Sequence, residues 1–271
     1  MIPLADAFGA AVVTAVVGAG LVAAEVCART ALLGPEAARK LTHVAGGVAC
    51  LVVHVLVRSP LTVLALAVVM ACALTAGERM GVLTCLCGVG RRGLGAPVFA
   101  AAVPVLFAVT GGRRWVYVCA VLVLAVSDSA AAVVGRRYGA HAFSAFGSRK
   151  TLEGSTAFLF SAAVIVFASL RFGAEAATDV AMAGAVVVAL MATVLEAVSA
   201  NGVDNAAVPL FVCLGVGFAD GGHAPMVAGA LAGLVALAVT VGAYTQPTAI
   251  TDPSAYGGHL AQTDRKSMVL R

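Results

Sequence analysis

Nine runs of apolar residues follow one another along the chain, at about 8–27, 41–57, 60–76, 96–110, 115–135, 155–171, 178–199, 206–219 and 226–245. A hydrocarbon core about 30 Å thick takes about 20 residues of helix, so runs of this length predict membrane spans. In lipid every backbone polar group must be satisfied within the segment, which makes each run an α-helix. The expected fold is all-α: a polytopic bundle of about nine transmembrane helices. Residues 1–245 form one domain in this reading, and the polar, glycine- and proline-bearing stretch 246–271 forms a mobile tail. Composition agrees. Hydrophobic residues make up 61% and charged residues 11% of the 271, and the mean hydropathy is +1.03. These values exclude a water-soluble globular enzyme and a disordered chain.

Runs 60–76, 96–110 and 206–219 are short for a bilayer, and alanine, glycine and valine dominate throughout. Small residues let helix backbones approach closely, so a tight bundle is expected. The net charge of +4 is too small to point to nucleic acid. Of the seven cysteines only Cys85 and Cys87 are close in sequence. No second pair, of cysteine or histidine, completes a zinc pattern.

Basic residues set the orientation. No basic residue precedes the first run, so that run is expected to be a retained span with its N-terminus outside. Thirteen of the 17 Lys and Arg then fall on the inner side: Arg29, Arg39, Lys40, Arg79, Arg91, Arg92, Arg136, Arg137, Arg149, Lys150, Arg265, Lys266 and Arg271. Arg58, Arg113, Arg114 and Arg171 fall outside. This bias favours an odd number of spans and a cytoplasmic C-terminus.

The same threading puts five polar motifs on the cytoplasmic side. RKLTHVAGG (39–47) sets Arg39, Lys40 and His43 on one helix face, as a cationic pocket for phosphate or as interfacial charge. VGRRGLGAP (89–97) flanks Arg91 and Arg92 with glycines before a helix start, where backbone amides bind anions. AVSDSAAAVVGRRYG (125–139) places Asp128 about 10 Å of helix rise before Gly135, inside an apolar span. A lone carboxylate there costs several kcal/mol unless paired, hydrated or metal-bound. GSRKTLEGST (147–156) gathers Arg149, Lys150, Thr151, Glu153, Gly154 and Ser155 at a span entrance, a phosphate cradle in which Glu153 favours the helix N-terminus or helps hold Mg²⁺. LEAVSANGVDNAAVP (195–209) brings Glu196, Asp204 and Asn205 to an inner loop with no basic residue. Mg²⁺ with a nucleotide would balance its charge, and a structural pair with Arg136 or Lys150 would do so too.

SDSAAAVVGRRYG, then KTLEGS, then EAVSANGVDNAAVP, in this order between apolar spans, resembles the polyprenol kinase family, which takes in dolichol, phytol and CTP-dependent diacylglycerol kinases. The resemblance covers roughly residues 39–210 and is strongest over 127–209. It implies a multi-span enzyme that transfers the γ-phosphate of CTP, or a related nucleotide, to the hydroxyl of a membrane lipid alcohol. It implicates Asp128, Gly135, Arg136, Gly139, Lys150, Thr151, Glu153, Gly154, Ser155, Glu196, Asp204 and Asn205. The basic-acidic signature of the distantly related cytidylyltransferases is missing from the last apolar run.

For such a reaction Lys150, Arg136, Arg149 and Arg39 are the expected triphosphate clamp, with Lys40, His43 and Arg92 beside them. Asp128, Glu196 and Asp204 are the expected ligands of Mg²⁺ or another divalent cation. Asp128, the deepest, is also the candidate to take the lipid proton. The expected setting is a bacterial-type cell membrane with the site on its cytoplasmic face. The other class compatible with this composition is a secondary transporter, which calls for an inverted repeat and midplane polar residues. No repeat is visible, and only Asp128 lies toward the midplane. A non-catalytic scaffold would leave Asp128 and the acidic loop without a purpose.

Overall fold

A computed structural model describes residues 3–86, 95–145, 148–199 and 202–219. The ninth apolar run, the 246–271 tail, Cys87, Arg91 and Arg92 lie outside the described residues. The described chain forms helices α1 (Leu4–Arg29), α2 (Pro35–Leu56), α3 (Pro60–Arg79) and α4 (Gly95–Thr110). They are followed by α5 (Arg114–Tyr138) and α6 (Leu152–Gly173), then α7 (Thr178–Val198) and α8 (Asp204–Ala219). Six of these are long and apolar enough to cross a membrane, and α4 and α8 are shorter apolar helices. The molecule is a multi-pass helical bundle.

Helix boundaries follow local chemistry. Proline opens α2 and α3 at the first turn, where its missing N–H costs nothing. Ser59 caps α3. The carboxylate of Asp6, at the start of α1, accepts from the backbone N–H of Arg58 at 3.1 Å and of Ser59 at 2.9 Å. That acid ties the α2–α3 turn to α1.

The core is built from small and β-branched residues. Val116, Tyr117, Cys119 and Ala120 of α5, Phe158, Ala162 and Val166 of α6, Ala185 and Ala189 of α7, and Val208 and Val212 of α8 are all buried together. Large apolar side chains also point outward, among them Val68 on α3, Phe160 and Val164 on α6, and Val186 and Leu190 on α7. An outward apolar girdle is what lipid-facing helices require.

Two departures from regular helix shape the polar end of the bundle. In α5, Val123–Ser127 form a π-helical turn immediately before Asp128. Such wide turns recur at functional sites because they swing the residues beyond them to a new face. Between α5 and α6 the chain forms an antiparallel hairpin, β1 (Ala142–Ala145) and β2 (Ser148–Thr151), which pairs Phe143 with Lys150 and Ser144 with Arg149. Sequence periodicity gives no sign of this hairpin. These short strands have no regular alternation of apolar and polar residues by which to recognise them.

Candidate active site

At the polar end, α2, α5, α6, α7, α8 and the hairpin surround a cavity of about 790 Å³. Small-molecule sites commonly measure about 300–1,000 Å³. Among the cavity-lining residues, five are basic (Arg39, Lys40, Arg136, Arg149, Lys150) and four acidic (Glu36, Asp128, Glu196, Asp204).

The acids gather first. Oxygen atoms of Asp128, Glu196 and Asp204 lie within 4.8 Å of one another. They come from three elements: the end of the π turn in α5, the last turn of α7 and the first turn of α8. Gly202 makes the turn between the last two with φ +85°, a left-handed conformation that suits glycine. Trans ligands of an octahedral Mg²⁺ are about 4.2 Å apart. Adjacent ligands are about 3 Å apart, so the three hard oxygen donors would converge on a divalent cation by closing in from the 4.8 Å within which they now lie.

The bases close around them. Lys40 Nζ donates to Asp128 Oδ2 at 2.5 Å, deep in the bundle. His43 Nε2 stands 3.3 Å from the same oxygen and 3.3 Å from the Leu124 carbonyl. Lys150 Nζ donates to Glu196 Oε1 at 2.5 Å and to the Glu196 carbonyl, and lies 3.9 Å from Asp204 Oδ2. The hairpin brings it there: Lys150 and its neighbours Arg149 and Thr151 on β2 all line the cavity. Arg39 pairs with Glu36 one turn away. Arg136 and Arg149 line the cavity without an ion pair among the described residues, leaving two guanidiniums open to an anion.

Two hydroxyls add to the polar inventory. Ser155 lines the cavity, and its buried Oγ has no hydrogen-bond partner among the described residues. The same is true of Ser127 Oγ, next to Asp128, a residue that sequence reasoning did not single out. Pro209 lacks an N–H, so the Asn205 carbonyl has no helical partner in α8. The Asn205 side chain donates to the Gly95 carbonyl at 3.0 Å and fixes the start of α4 beside the site.

The glycines act by closeness. A Cβ on Gly135 would lie 2.7 Å from Thr151 Oγ1, and one on Gly154 would lie 2.8 Å from the Ala131 carbonyl. A Cβ on Gly139 would meet Thr151 Cγ2 at 2.6 Å. Thr151 caps α6, its Oγ1 accepting from Gly154 N–H at 3.1 Å. The three glycines therefore let α5 and α6 cross tightly on this cap and set the height of Lys150 above the acids. Glu153 takes a different path. Its carboxylate accepts from the His141 backbone N–H and pairs with His141 Nδ1 at 2.8 Å, latching the hairpin outside the acidic cluster. Arg92 belongs to the residues not described.

Fold and site define a multi-pass membrane protein whose polar cavity gathers carboxylates that could bind a metal beside unpaired guanidiniums. Over 198 residues the chain is 32% identical to the phytol kinase of Synechocystis sp., across 71% of this chain and 83% of that relative. No family model matches the chain, and no solved structure matches it. The chain belongs to the polyprenol kinase family of membrane lipid kinases.

Proposed function

We propose that this protein transfers the γ-phosphate of CTP to the hydroxyl of a membrane lipid alcohol of the phytol, polyprenol or diacylglycerol kind, on the cytoplasmic side of a bacterial-type membrane. The observation that carries the reading is the meeting of Asp128, Glu196 and Asp204 within 4.8 Å in a cavity that also offers Arg136 and Arg149. The phytol kinase relative supports the acceptor class, and the family resemblance supports CTP as donor. The basic residues favouring the inner side support the orientation.

Phosphoryl transfer asks a protein mainly for in-line positioning and charge neutralisation. Arg136, Arg149 and Lys150 bind the triphosphate and hold its γ-phosphoryl group against the acids. Glu196 and Asp204 would hold Mg²⁺, in keeping with sites built from one or two carboxylates plus substrate phosphates. A cation held there would supply charge neutralisation for the triphosphate. Asp128 receives the lipid hydroxyl in this reading. Lys40 and His43 fix its carboxylate so that the incoming hydroxyl donates to it. The alcohol oxygen forms its bond to Pγ as the bridging bond to the β-phosphate breaks, CDP leaves, and the hydroxyl proton passes to Asp128.

The test is transfer of label from γ-radiolabelled CTP to phytol, polyprenol, dolichol and diacylglycerol in membranes containing the protein, with ATP and UTP as rival donors. The expected result is a labelled lipid phosphate that depends on Mg²⁺ and is made best from CTP. Absence of product with every donor and acceptor would return the chain to the transporter class.

A further inference from the structure

Asp128, Glu196 and Asp204 bring oxygen atoms within 4.8 Å of one another, and carboxylates this close repel each other. Two ammonium groups offset the repulsion. Lys40 takes Asp128 at 2.5 Å. Lys150 takes Glu196 Oε1 at 2.5 Å together with the Glu196 carbonyl. Three carboxylates against two ammoniums leave one net negative charge in the cluster. Arg39 does not alter this balance, because Glu36 holds it.

The two lysines are not equivalent. Lys40 projects from the first turns of α2 and is buried with its partner. Lys150 comes from the short strand β2, and its side chain keeps 16% of its surface exposed. Its Nζ also lies 3.9 Å from Asp204 Oδ2, so it already spans the two acids assigned to the cation. A lone pair that accepts from an ammonium is not free to coordinate a metal. An ion on these oxygens would also meet the ammonium at close range, where like charges repel. Lysine and divalent cation are therefore alternatives at Glu196 and Asp204. Lys150 has another place to go. Its four-carbon stem is flexible, and the cavity it lines also carries Arg136, Arg149 and Ser155, the groups expected around a triphosphate.

We propose that Lys150 is a resident substitute for the divalent cation: it occupies Glu196 and Asp204 in the empty site and leaves them for the phosphates when metal and nucleotide enter together. The proposal rests on the kinase reading and deepens it by fixing the order of loading. Without nucleotide, the departing ammonium has no anion to receive it, so free metal binds poorly. With a triphosphate in the cavity, Lys150 exchanges a carboxylate partner for a phosphate partner. Metal and nucleotide then each raise the affinity for the other.

The experiment measures metal binding without turnover. Mn²⁺ is titrated, by electron paramagnetic resonance, into the full-length protein in lipid nanodiscs without nucleotide. Lys150→Met should bind Mn²⁺ about tenfold more tightly than the unmodified protein, although the same change weakens the nucleotide clamp. Lys150→Arg keeps the charge and should stay weak. Arg149→Met removes a charge from the same strand without freeing an acid, and should shift the affinity less than about threefold. A CTP analogue with a methylene bridge between its β- and γ-phosphates should tighten Mn²⁺ about tenfold in the unmodified protein and less in Lys150→Met. Equal or weaker Mn²⁺ binding by Lys150→Met, or no Mn²⁺ binding by any of these proteins, would overturn the proposal. A second measurement needs no variant. Acetylation of the unmodified protein, mapped by mass spectrometry, should be slow at Lys150 without metal and severalfold faster once Mn²⁺ saturates the site. A rate indifferent to Mn²⁺ would also overturn the exchange. Tighter Mn²⁺ binding by Lys150→Met, with no phosphate transfer from any nucleotide by the unmodified protein, would keep the exchange and remove the kinase reading.

Discussion

The Lys40 ammonium and the Asp128 carboxylate meet at 2.5 Å across a sequence separation of 88 residues, both buried where α2 passes the π turn of α5. Breaking a buried pair from one side strands the other charge and costs about 3–5 kcal/mol, whereas replacing both partners by apolar residues is often neutral. Lys40→Met should therefore lower the thermal unfolding temperature in detergent and abolish activity. Adding Asp128→Leu should recover most of the stability and none of the activity. A double variant no more stable than the single one would remove the pair from the account of stability.

Lys150 answers to the site. Its ammonium bridges Glu196 and the neighbourhood of Asp204, within reach of anything bound to those acids. Lys150→Ala should raise the nucleotide KM and lower kcat, reducing kcat/KM about ten- to a hundredfold, the usual worth of a hydrogen bond to a charged group. Steady-state kinetics with CTP checks this, and unchanged constants would take Lys150 out of the clamp.

The acids divide in their dependence on the metal. Asp204→Asn and Glu196→Gln each remove one anionic donor from the three-oxygen cluster. Activity of these variants should need severalfold more Mg²⁺ for half-maximal rate, and chelation should abolish activity in the unmodified protein. Asp128→Asn should instead depress kcat at every Mg²⁺ concentration. If Asp128→Asn is rescued by Mg²⁺, Asp128 is a ligand and not the proton acceptor.

Much of this arrangement is legible from residues alone. Asp128 and Glu196 stand out because carboxylates are rare in runs otherwise made of valine and alanine, and the apolar runs at 178–199 and 41–57 fall close to α7 and α2. The choice of partner is not legible. Arg136, eight residues on, shares nearly the same helix face as Asp128 but lies about 12 Å along it, and Lys40 holds the acid instead, because the pairing depends on where α2 crosses α5. The hairpin at 142–151 is hidden for a similar reason. Its strands are four residues long, too short for a period of two, and its polar residues read as loop. Glu153, which by position either favours the helix N-terminus or helps hold Mg²⁺, accepts from the His141 backbone and pairs with its ring, a contact with no signal in the sequence.

Glycine positions separate packing from propensity. Gly135 sits where α5 meets the Thr151 cap, and a Cβ there would lie 2.7 Å from Thr151 Oγ1 and 3.4 Å from Gly154 Cα. Gly18 sits in α1 with nothing within 4 Å of an added Cβ. Alanine gains up to about 1 kcal/mol over glycine in a helix interior, while forcing extra volume into a tight contact costs about 1–3 kcal/mol. Gly18→Ala should leave the unfolding temperature unchanged or raised and the kinetics unaltered. Gly135→Ala should lower it, and by displacing the cap that sets the height of Lys150 it should also raise the nucleotide KM. Thermal unfolding and nucleotide titration of the two variants side by side test the difference. Equal behaviour would mean that the α5–α6 crossing is looser than the contacts around Gly135 indicate.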